Sequence, residues 1–362
     1  MSWRRRTASV AALGLAVAGW ASSATAFALA GGHIVRPAPL QAFVLSGAPD
    51  SLADLEAHAQ AVGVVYPTYF ECERADGRII GADAGSITAY AVARHIVLMP
   101  RFNCQDGPTV HTILTDPRTR ARTLSSLAQI AETPAYEGLN LDLENDGAAD
   151  RVAMSSFVAA LAARLHADGR RLSVDVVGVT HDDPAIATGF YDDRALSRTA
   201  DYVFVMAWGA HWEGSAAGPI APLPFVAGVA RYVASLPHAD RFVLGAPMYG
   251  LDWAAATAAT PTVTGAVVPA RQPPATALRN ASVLALAHSV GATPRRERAV
   301  DEMTFAYARA GLRHRVWYMD ARAIADRLSI ARAHGLAAGV WRLGGEDQEL
   351  WSFPAVLEGV RR

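Results

Sequence analysis

The chain contains no lysine: all 33 of its basic residues are arginine. The absence of lysine excludes a lysine nucleophile and a Schiff-base mechanism. The arginines are balanced by 34 acidic residues, and the formal net charge is -1. Nucleic-acid-binding domains usually carry a concentrated basic stripe, and none is present. We therefore expect no nucleic-acid partner.

Long apolar runs are absent beyond the N-terminus. Residues 4–6 are three arginines, an apolar run follows at 10–20, and residues 24–26 (Ala-Thr-Ala) offer a small-residue cleavage site. This three-part arrangement is typical of a secretory signal peptide and is too short for an ordinary membrane span. The alternative is an uncleaved N-terminal anchor. We expect residues 1–26 to be removed and residues 27–362 to be a secreted or periplasmic monomer without a membrane span.

Cysteine is scarce, and both cysteines follow candidate strands. Cys72 comes after the strand predicted at 63–70, and Cys104 after the one predicted at 96–102. Consecutive parallel strands are usually neighbours, which would bring the two loops together. In an exported protein such a pair is interpreted as a structural disulfide. Two free thiols, or a metal site lacking further ligands, are the alternatives.

The most informative segment, residues 136–145, reads Tyr-Glu-Gly-Leu-Asn-Leu-Asp-Leu-Glu-Asn. Successive side chains of a strand point to opposite faces, so three leucines form one row and Asn140, Asp142 and Glu144 form the other. Carboxylates are seldom fully buried unless they are paired with another group or have a function. By itself the segment could be the edge of an antiparallel sheet with one wet face. Helical patterns before and after it favour a buried α/β sheet, with the two acids at the opening of a barrel.

Apolar strand candidates alternate with helical patterns along the whole chain. The candidate strands span residues 34–45, 63–70, 96–102, 138–144, 172–177, 202–208, 242–248 and 337–343. This alternation predicts an α/β fold, a (β/α)8 TIM barrel. An open doubly wound sheet is the alternative. No Gly-x-Gly-x-x-Gly lies at a strand-to-helix turn, which weakens its dinucleotide-binding version.

One stretch, at about 255–318, breaks the alternation. It begins with an Ala-, Thr- and Pro-rich segment typical of a loop and continues with a helical pattern and two short strands around Gly311. We interpret it as a small α+β insertion between the seventh and eighth strands that forms one wall of a substrate cleft. The alternative is a plain surface elaboration.

A family resemblance runs through four segments in chain order. Residues 137–144 resemble an Asp-Gly-x-Asp-x-Asp-x-Glu signature, and residues 204–208 lie where a strand ending Met-x-Tyr-Asp is expected. Residues 245–250 resemble a Gly-x-Pro-x-Tyr-Gly strand, and residues 339–347 a closing strand with a Trp. Together they resemble glycoside hydrolase family 18, the chitinase-like enzymes. The nearest likeness is to the branch of bacterial spore-cortex N-acetylglucosaminidases, in which Asn commonly holds the position of Asn140.

The resemblance implies substrate-assisted, retaining hydrolysis of a polysaccharide that contains β-linked N-acetylhexosamine: peptidoglycan, a chitin-like polymer or an exopolysaccharide. Glu144 aligns with the general acid, and Asp142 with the carboxylate that orients the substrate's 2-acetamido group. Asn140 completes the catalytic set. Because Asp142 and Glu144 share one face two residues apart, we expect their titrations to be coupled. No cofactor and no metal are expected.

The resemblance also implies a set of substrate-binding residues. Trp341 aligns with the Trp under the sugar at the cleavage point, and the remaining candidates are Met206, Trp208, Tyr249 and Glu137.

Two departures from the family pattern bear on the function. Trp208-Gly209 replaces the usual Tyr-Asp, so the Tyr hydroxyl that holds the acetamido carbonyl is missing, although the indole N–H can still donate. Glu137 stands where the family usually has Asp. The intact Asp142 and Glu144 favour an enzyme. The altered pair favours the alternative, a non-catalytic, lectin-like glycan-binding protein on the same barrel.

Overall fold

The computed structural model describes residues 39–357, apart from 75, 145–146, 186, 256–259, 262–266 and 269–272. The predicted signal peptide lies outside the described residues. Residues 36–362 form one compact unit. Within the described part of the chain, no helix has both the length and the apolar character needed to cross a membrane.

Parallel strands form a closed barrel. The barrel strands, first to eighth, are Leu40–Val44, Val62–Pro67, Val97–Leu98 continued by Arg101–Cys104, Gly138–Leu143, Arg171–Val177, Tyr202–Met206, Phe242–Pro247 and Ala337–Trp341. The first strand pairs with both the second and the eighth. The third is interrupted at Met99 and Pro100, but it pairs with the second strand through its first part and with the fourth through its second. The circle is therefore complete, and the predicted TIM barrel is confirmed.

Helices cover the outside of the barrel. They span Pro49–His58, Ser86–Ala93, Gly107–Thr115, Pro117–Ala131, Arg151–Ala167, Asp193–Thr199, Leu223–Ala234, Ala321–Ala333 and Pro354–Leu357. Several begin at an Asp that caps the first turn: Asp106 accepts the N–H of Thr109, and Asp116 that of Thr119. In both, proline follows within the first two helical positions, where it is tolerated because its missing N–H would have no partner.

The apolar residues of the barrel form two separate cores. Leu139, Leu141 and Leu143 of the fourth strand point outward into the core between sheet and helices. A smaller core, which includes Phe43 and Phe204, fills the barrel interior. The interior has room for the Phe204 ring because glycines face it: a Cβ on Gly245 or Gly339 would lie 2.5 Å or 2.3 Å from that ring. The side chains of the fourth strand thus alternate as predicted, with the three leucines in the outer core.

A disulfide ties the ends of two neighbouring strand segments. After the second barrel strand, the chain forms the short strand Phe70–Cys72, which pairs in parallel with Arg101–Cys104 and antiparallel with Ile79–Gly81. Cys72 and Cys104 are bonded to each other. The disulfide therefore links the carboxyl end of the third barrel strand to the short strand that follows the second barrel strand.

The insertion between the seventh and eighth barrel strands is built on an antiparallel sheet. Its strands are Gly250–Ala254, Thr276–Leu278, Arg295–Glu297, Glu302–Arg309 and Leu312–Tyr318, with the helix Asn280–Ser289 packed against them and a separate small ladder at Thr260–Pro261 and Val267–Val268. The insertion was expected to start at about 255, whereas its sheet includes earlier residues. Residues 250–254 already belong to this sheet because they pair with residues 314–318, a partner distant in sequence.

A buried ionic contact attaches the insertion to the barrel. The Glu302 carboxylate accepts the backbone N–H groups of Ile220 at 2.8 Å and Ala221 at 2.7 Å. Arg327, on a barrel helix, donates to the Ala221 carbonyl at 2.7 Å and to the Asp301 carboxylate at 3.1 Å. Burial raises the pKa of Glu302 to about 7, although the Arg327 charge opposes the shift. These buried polar groups thus join the insertion to the segment before one barrel helix and to another barrel helix.

Candidate active site

A pocket of about 530 Å³ opens at the carboxyl ends of the barrel strands, where TIM barrels carry their active sites. Its wall comes from barrel strands, the loops after them and the insertion. The lining residues are Phe43, Arg101, Gln105, Asp142, Glu144, Asp175, Met206, Trp208, Glu213, Met248, Tyr249, Ala277, Leu278, Arg279, Trp341, Arg342 and Gly345. The insertion therefore forms one wall of this pocket.

Asp142 is held by an arginine from the neighbouring strand. Arg101 Nε donates to Asp142 Oδ2 at 2.6 Å, and Arg101 Nη2 donates to the same oxygen. Both side chains are almost completely buried. Although burial opposes the charge on Arg101, Asp142 raises the pKa of the guanidinium. The other oxygen of Asp142 has no hydrogen-bond partner among the described residues.

Glu144 has the protonation behaviour of a general acid. Burial, followed by the negative charge of Asp142, raises the pKa of Glu144 to about 7. The hydrogen bond that Gln105 Nε2 donates to Glu144 Oε1, at 2.6 Å, opposes the shift. A carboxyl group with this pKa carries a proton at mildly acidic pH and can release it near neutrality.

Asn140 lies below the pocket rather than in its wall. It is completely buried, and its Nδ2 donates to Asp175 Oδ1 at 2.6 Å and to Ser173 Oγ at 3.1 Å. Burial and the charge of Asp142 raise the pKa of Asp175 well above its usual range. Asn140 therefore positions Asp175 beside Asp142, and the structure gives it no direct contact with the pocket.

Aromatic side chains form much of the remaining pocket wall. Trp341 ends the eighth strand, and the Arg101 guanidinium lies 5.0 Å from the centre of its ring. Trp208 and Met206 follow from the sixth strand, and Tyr249 from the turn after the seventh. All four predicted residues meet in the pocket. A flat indole there offers a surface for the apolar face of a sugar ring.

Glu137 is the predicted site residue that the structure does not bring to the pocket. It precedes the fourth strand and is exposed. Strand residues rise by about 3.3 Å each, so Glu137 and Glu144 lie about 20 Å apart at opposite ends of the strand. For this reason the structure places Glu137 outside the pocket, even though the two residues belong to one sequence motif.

Several residues of the pocket were missed by the sequence interpretation. Two of them, Arg101 and Asp175, sit on strands with the same alternation that marked Asp142 and Glu144, in Arg-Phe-Asn-Cys at 101–104 and in Ser-Val-Asp-Val at 173–176. That alternation could have identified both as inward-facing. Others, such as Glu213, Arg279 and Arg342, lie in loops, where no periodicity marks the direction of a side chain.

Comparison with known proteins identifies the family. The model of glycosyl hydrolases family 18 matches residues 104–345. YdhD of Bacillus subtilis, named as a candidate sporulation-specific glycosylase, is 28% identical over 236 residues, which are 65% of this chain and 53% of that protein. The cortical fragment-lytic enzyme of Bacillus anthracis is 24% identical over 242 residues, covering 66% of this chain and 54% of the enzyme. The chain thus spans about half the length of these two relatives.

A solved structure agrees over a longer range. The chitinase from Chromobacterium violaceum superimposes with a TM-score of 0.74 at 26% identity, covering 90% of this chain and all of that one. The matched family segment contains the carboxyl groups of the pocket floor and the aromatic wall described above. The chain belongs to the glycosyl hydrolases family 18.

Proposed function

We propose that this protein is an exported glycosidase that hydrolyses glycans containing β-linked N-acetylglucosamine by a substrate-assisted, retaining mechanism. The observation that carries the proposal is the pairing of two carboxyl groups at the pocket floor. Glu144 has its pKa raised to about 7, and Asp142 is bound to Arg101. One group is thus suited to give up a proton, and the other to act as a fixed anion.

In the first step, Glu144 donates its proton to the glycosidic oxygen. The carbonyl oxygen of the substrate's own 2-acetamido group attacks the anomeric carbon as the bond to the leaving sugar breaks. No protein nucleophile is needed. In the second step, water attacks the anomeric carbon, Glu144 accepts a proton from that water, and the ring formed by the acetamido group opens. Glu144 ends the cycle protonated, as it began.

Asp142 binds the substrate's acetamido group and stabilises its charge in both steps. One of its oxygens is occupied by Arg101, and the other has no partner among the residues that the structure describes. A buried carboxylate oxygen without a partner is energetically unfavourable. The N–H of an acetamido group would supply that hydrogen bond, and the Asp142 charge would stabilise the positive charge that develops on the group.

The replacement of the family's Tyr-Asp by Trp208-Gly209 shapes the rest of the pocket. Trp208 is half-buried in the wall, where its indole N–H is the available donor of that segment. Tyr249 lies in the same pocket and is protonated at all relevant pH values, because burial and then the charge of Glu213 raise the pKa of its hydroxyl. We propose that these two donors share the binding of the acetamido carbonyl.

The relatives' names favour two substrate classes. One relative is named for lysis of cortical fragments and another protein of the same fold is a chitinase. We therefore propose peptidoglycan or a chitin-like polymer as the substrate, and a signal peptide at residues 1–26 that directs the protein to it. The mass of the protein recovered from the periplasm or the culture medium tests the export: it should correspond to a chain that starts near residue 27.

Glu144→Gln tests the proposed reaction. General acid catalysis typically contributes about 10²- to 10⁴-fold, so hydrolysis of chitooligosaccharides or purified peptidoglycan should fall by that factor. Glu137→Gln is the matched control: it changes the same functional group at the exposed end of the same strand, and it should leave the rate unchanged. The melting temperatures of both variants should equal that of the wild type within a few degrees.

The outcome of this comparison separates the enzyme from the lectin-like alternative. If the wild type and Glu144→Gln bind the same N-acetylated glycans equally well and neither cleaves them, the glycosidase proposal is withdrawn. The Trp208-Gly209 segment would then mark a barrel that retains binding without catalysis.

A further inference from the structure

Two arginines on one wall of the pocket are not used by the proposed reaction. Arg279 directly precedes the insertion helix Asn280–Ser289, and Arg342 directly follows Trp341. Both line the same pocket as Glu144. Their side chains are 50% and 19% exposed, so solvent and ligand can reach them.

The two guanidinium groups converge on one carboxylate oxygen. Arg279 Nη1 donates to Asp50 Oδ2 at 2.5 Å, and Arg342 Nη1 lies 3.7 Å from the same oxygen. Burial opposes the charge on Asp50, but the hydrogen bond from Arg279 and the charges of both arginines lower its pKa. Asp50 is therefore ionised at neutral pH. It balances one of the two positive charges and leaves the other uncompensated.

Most hydrogen-bond donors of the pair are also unused. A guanidinium has five N–H donors. Within the described part of the chain, Arg279 gives one bond to Asp50, and Arg342 gives one to the Leu343 carbonyl at 3.0 Å. The remaining donors have no protein acceptor among the described residues, and both side chains line the pocket.

The pocket holds other charged residues besides this pair. Arg101 is bound to Asp142 at the floor. Glu213 lies close enough to Tyr249 for its charge to raise the pKa of that hydroxyl. The acidic floor is thus distinct from the wall on which Arg279, Arg342 and Asp50 together carry one net positive charge, and Glu213 is a further carboxylate of the pocket.

We propose that Arg279 and Arg342 form a binding site for a carboxylate on the glycan, so that the substrate is an acidic polymer of β-linked N-acetylhexosamine rather than neutral chitin. The proposal rests on the function proposed above, because it concerns the same pocket. Guanidinium groups match carboxylates with two parallel N–H···O bonds, which neutral sugar hydroxyls cannot form. The carboxylate could stand on an ether substituent of the sugar, as in muramic acid, or on the ring, as in a uronic acid.

The probes are used in pairs, and the two members of a pair have the same sugar backbone but differ in charge. Peptide-free peptidoglycan strands carry a carboxylate on an ether substituent, and hyaluronan oligosaccharides carry one on the ring. Each is compared with its own methylamide, in which every carboxylate is neutral and the shape is nearly unchanged. The measured quantity is the ratio of kcat/KM for the acidic glycan to that for its methylamide, at low and at high salt.

We expect the wild type to favour one acidic glycan over its methylamide by about tenfold, since hydrogen bonds to charged groups are stronger than neutral ones and partial exposure reduces the gain. The preference should shrink at high salt. Arg279→Gln and Arg342→Gln should each reduce the ratio severalfold, and Arg279→Lys should keep part of it. Arg309→Gln changes an exposed arginine of the insertion outside the pocket wall and should not alter the ratio.

Several results would overturn the inference. A carboxylate site is excluded if the wild type has the same kcat/KM for both acidic glycans as for their methylamides. It is also excluded if both Gln variants keep the wild-type ratio of kcat/KM and the wild-type melting temperature. If the wild type cleaves none of the probes, the proposed function fails, and the dissociation constants of the same probes for the same variants decide the inference separately. Which acidic glycan is favoured identifies the position of the carboxylate.

Discussion

At the scale of single residues, the Glu144 carboxyl group determines how activity depends on pH. Its pKa is raised to about 7, and the proposed first step needs the protonated form. We expect kcat/KM to be highest on the acidic side and to fall tenfold per pH unit above about 7. A pH–rate profile with a soluble N-acetylated substrate measures this directly. A midpoint near 4.5, the ordinary value for Glu, would contradict the assignment of Glu144 as the acid.

Gln105 provides a second check on the same group. Its hydrogen bond to Glu144 lowers the pKa of that carboxyl, so Gln105→Leu should raise the pKa further. The basic limb of the profile should therefore move to higher pH, even if kcat itself decreases. Glu137→Gln, at the far end of the strand, should leave the limb in place. A shift of the basic limb to lower pH in Gln105→Leu would show that this hydrogen bond does not lower the pKa of Glu144.

Sequence alternation identified the two carboxyl groups of the pocket floor but not their partners. Asp142 and Glu144 were predicted to share the inward face of a strand, and they do. That Arg101 binds Asp142, and that Asn140 binds Asp175, depends on the register between strands that are distant in sequence. No local pattern determines that register, because it follows from how the whole barrel closes.

At the scale of elements, the contact between Arg327 and the insertion should contribute strongly to stability. Arg327 is 1% exposed and lies beside Glu302, which is fully buried. Removing one partner of a buried ionic contact leaves an uncompensated charge, so Arg327→Met should lower the free energy of unfolding by about 3 kcal/mol. Urea unfolding near pH 8, where Glu302 is ionised, measures the change.

Arg322→Met is the matched control on the same helix. Arg322 is 64% exposed and pairs with Asp326 one turn away, an arrangement that contributes about 0.5 kcal/mol or less. Equal destabilisation by the two substitutions would mean that helix propensity, rather than the buried contact, accounts for the loss.

The sequence predicted most barrel elements well and the insertion less well. Barrel strands are short apolar runs between helical patterns, and their alternation is visible locally. The strand Gly250–Ala254 was missed because its partner, Leu312–Tyr318, lies about sixty residues further along the chain. The helix of the insertion was predicted from its apolar spacing, and the structure places it at Asn280–Ser289.

At the scale of the whole molecule, buried carboxyl groups should make the fold more stable in mild acid than in base. Burial is the first cause that raises the pKa of Glu302 and Asp193 to about 7 and that of Glu346 to about 8. The folded state then binds more protons than the unfolded chain between about pH 4.5 and 8. This contribution to stability is complete below the unfolded pKa and is lost as pH rises through the folded pKa.

The melting temperature should therefore fall by a few degrees between pH 5 and pH 9 at constant ionic strength. Acids with lowered pKa, such as Asp50, change protonation only below about pH 4, outside this window. A melting temperature that stays level or rises over the range would show that these carboxyl groups are ionised in the fold. Differential scanning calorimetry of the protein measures it.

The sequence by itself determined the alternation of strands and helices, the inward row of Asn140, Asp142 and Glu144, and the likeness to family 18. These depend on periodicities of two and 3.6 residues and on short motifs, which are local. The tertiary structure decided which side chains meet: Arg101 with Asp142, Gln105 with Glu144, and Arg279 and Arg342 around Asp50. It also separated Glu137 from the pocket. Contacts between distant segments arise only when the barrel closes and the insertion packs over its mouth, because loop directions and strand register are set by packing of the whole chain.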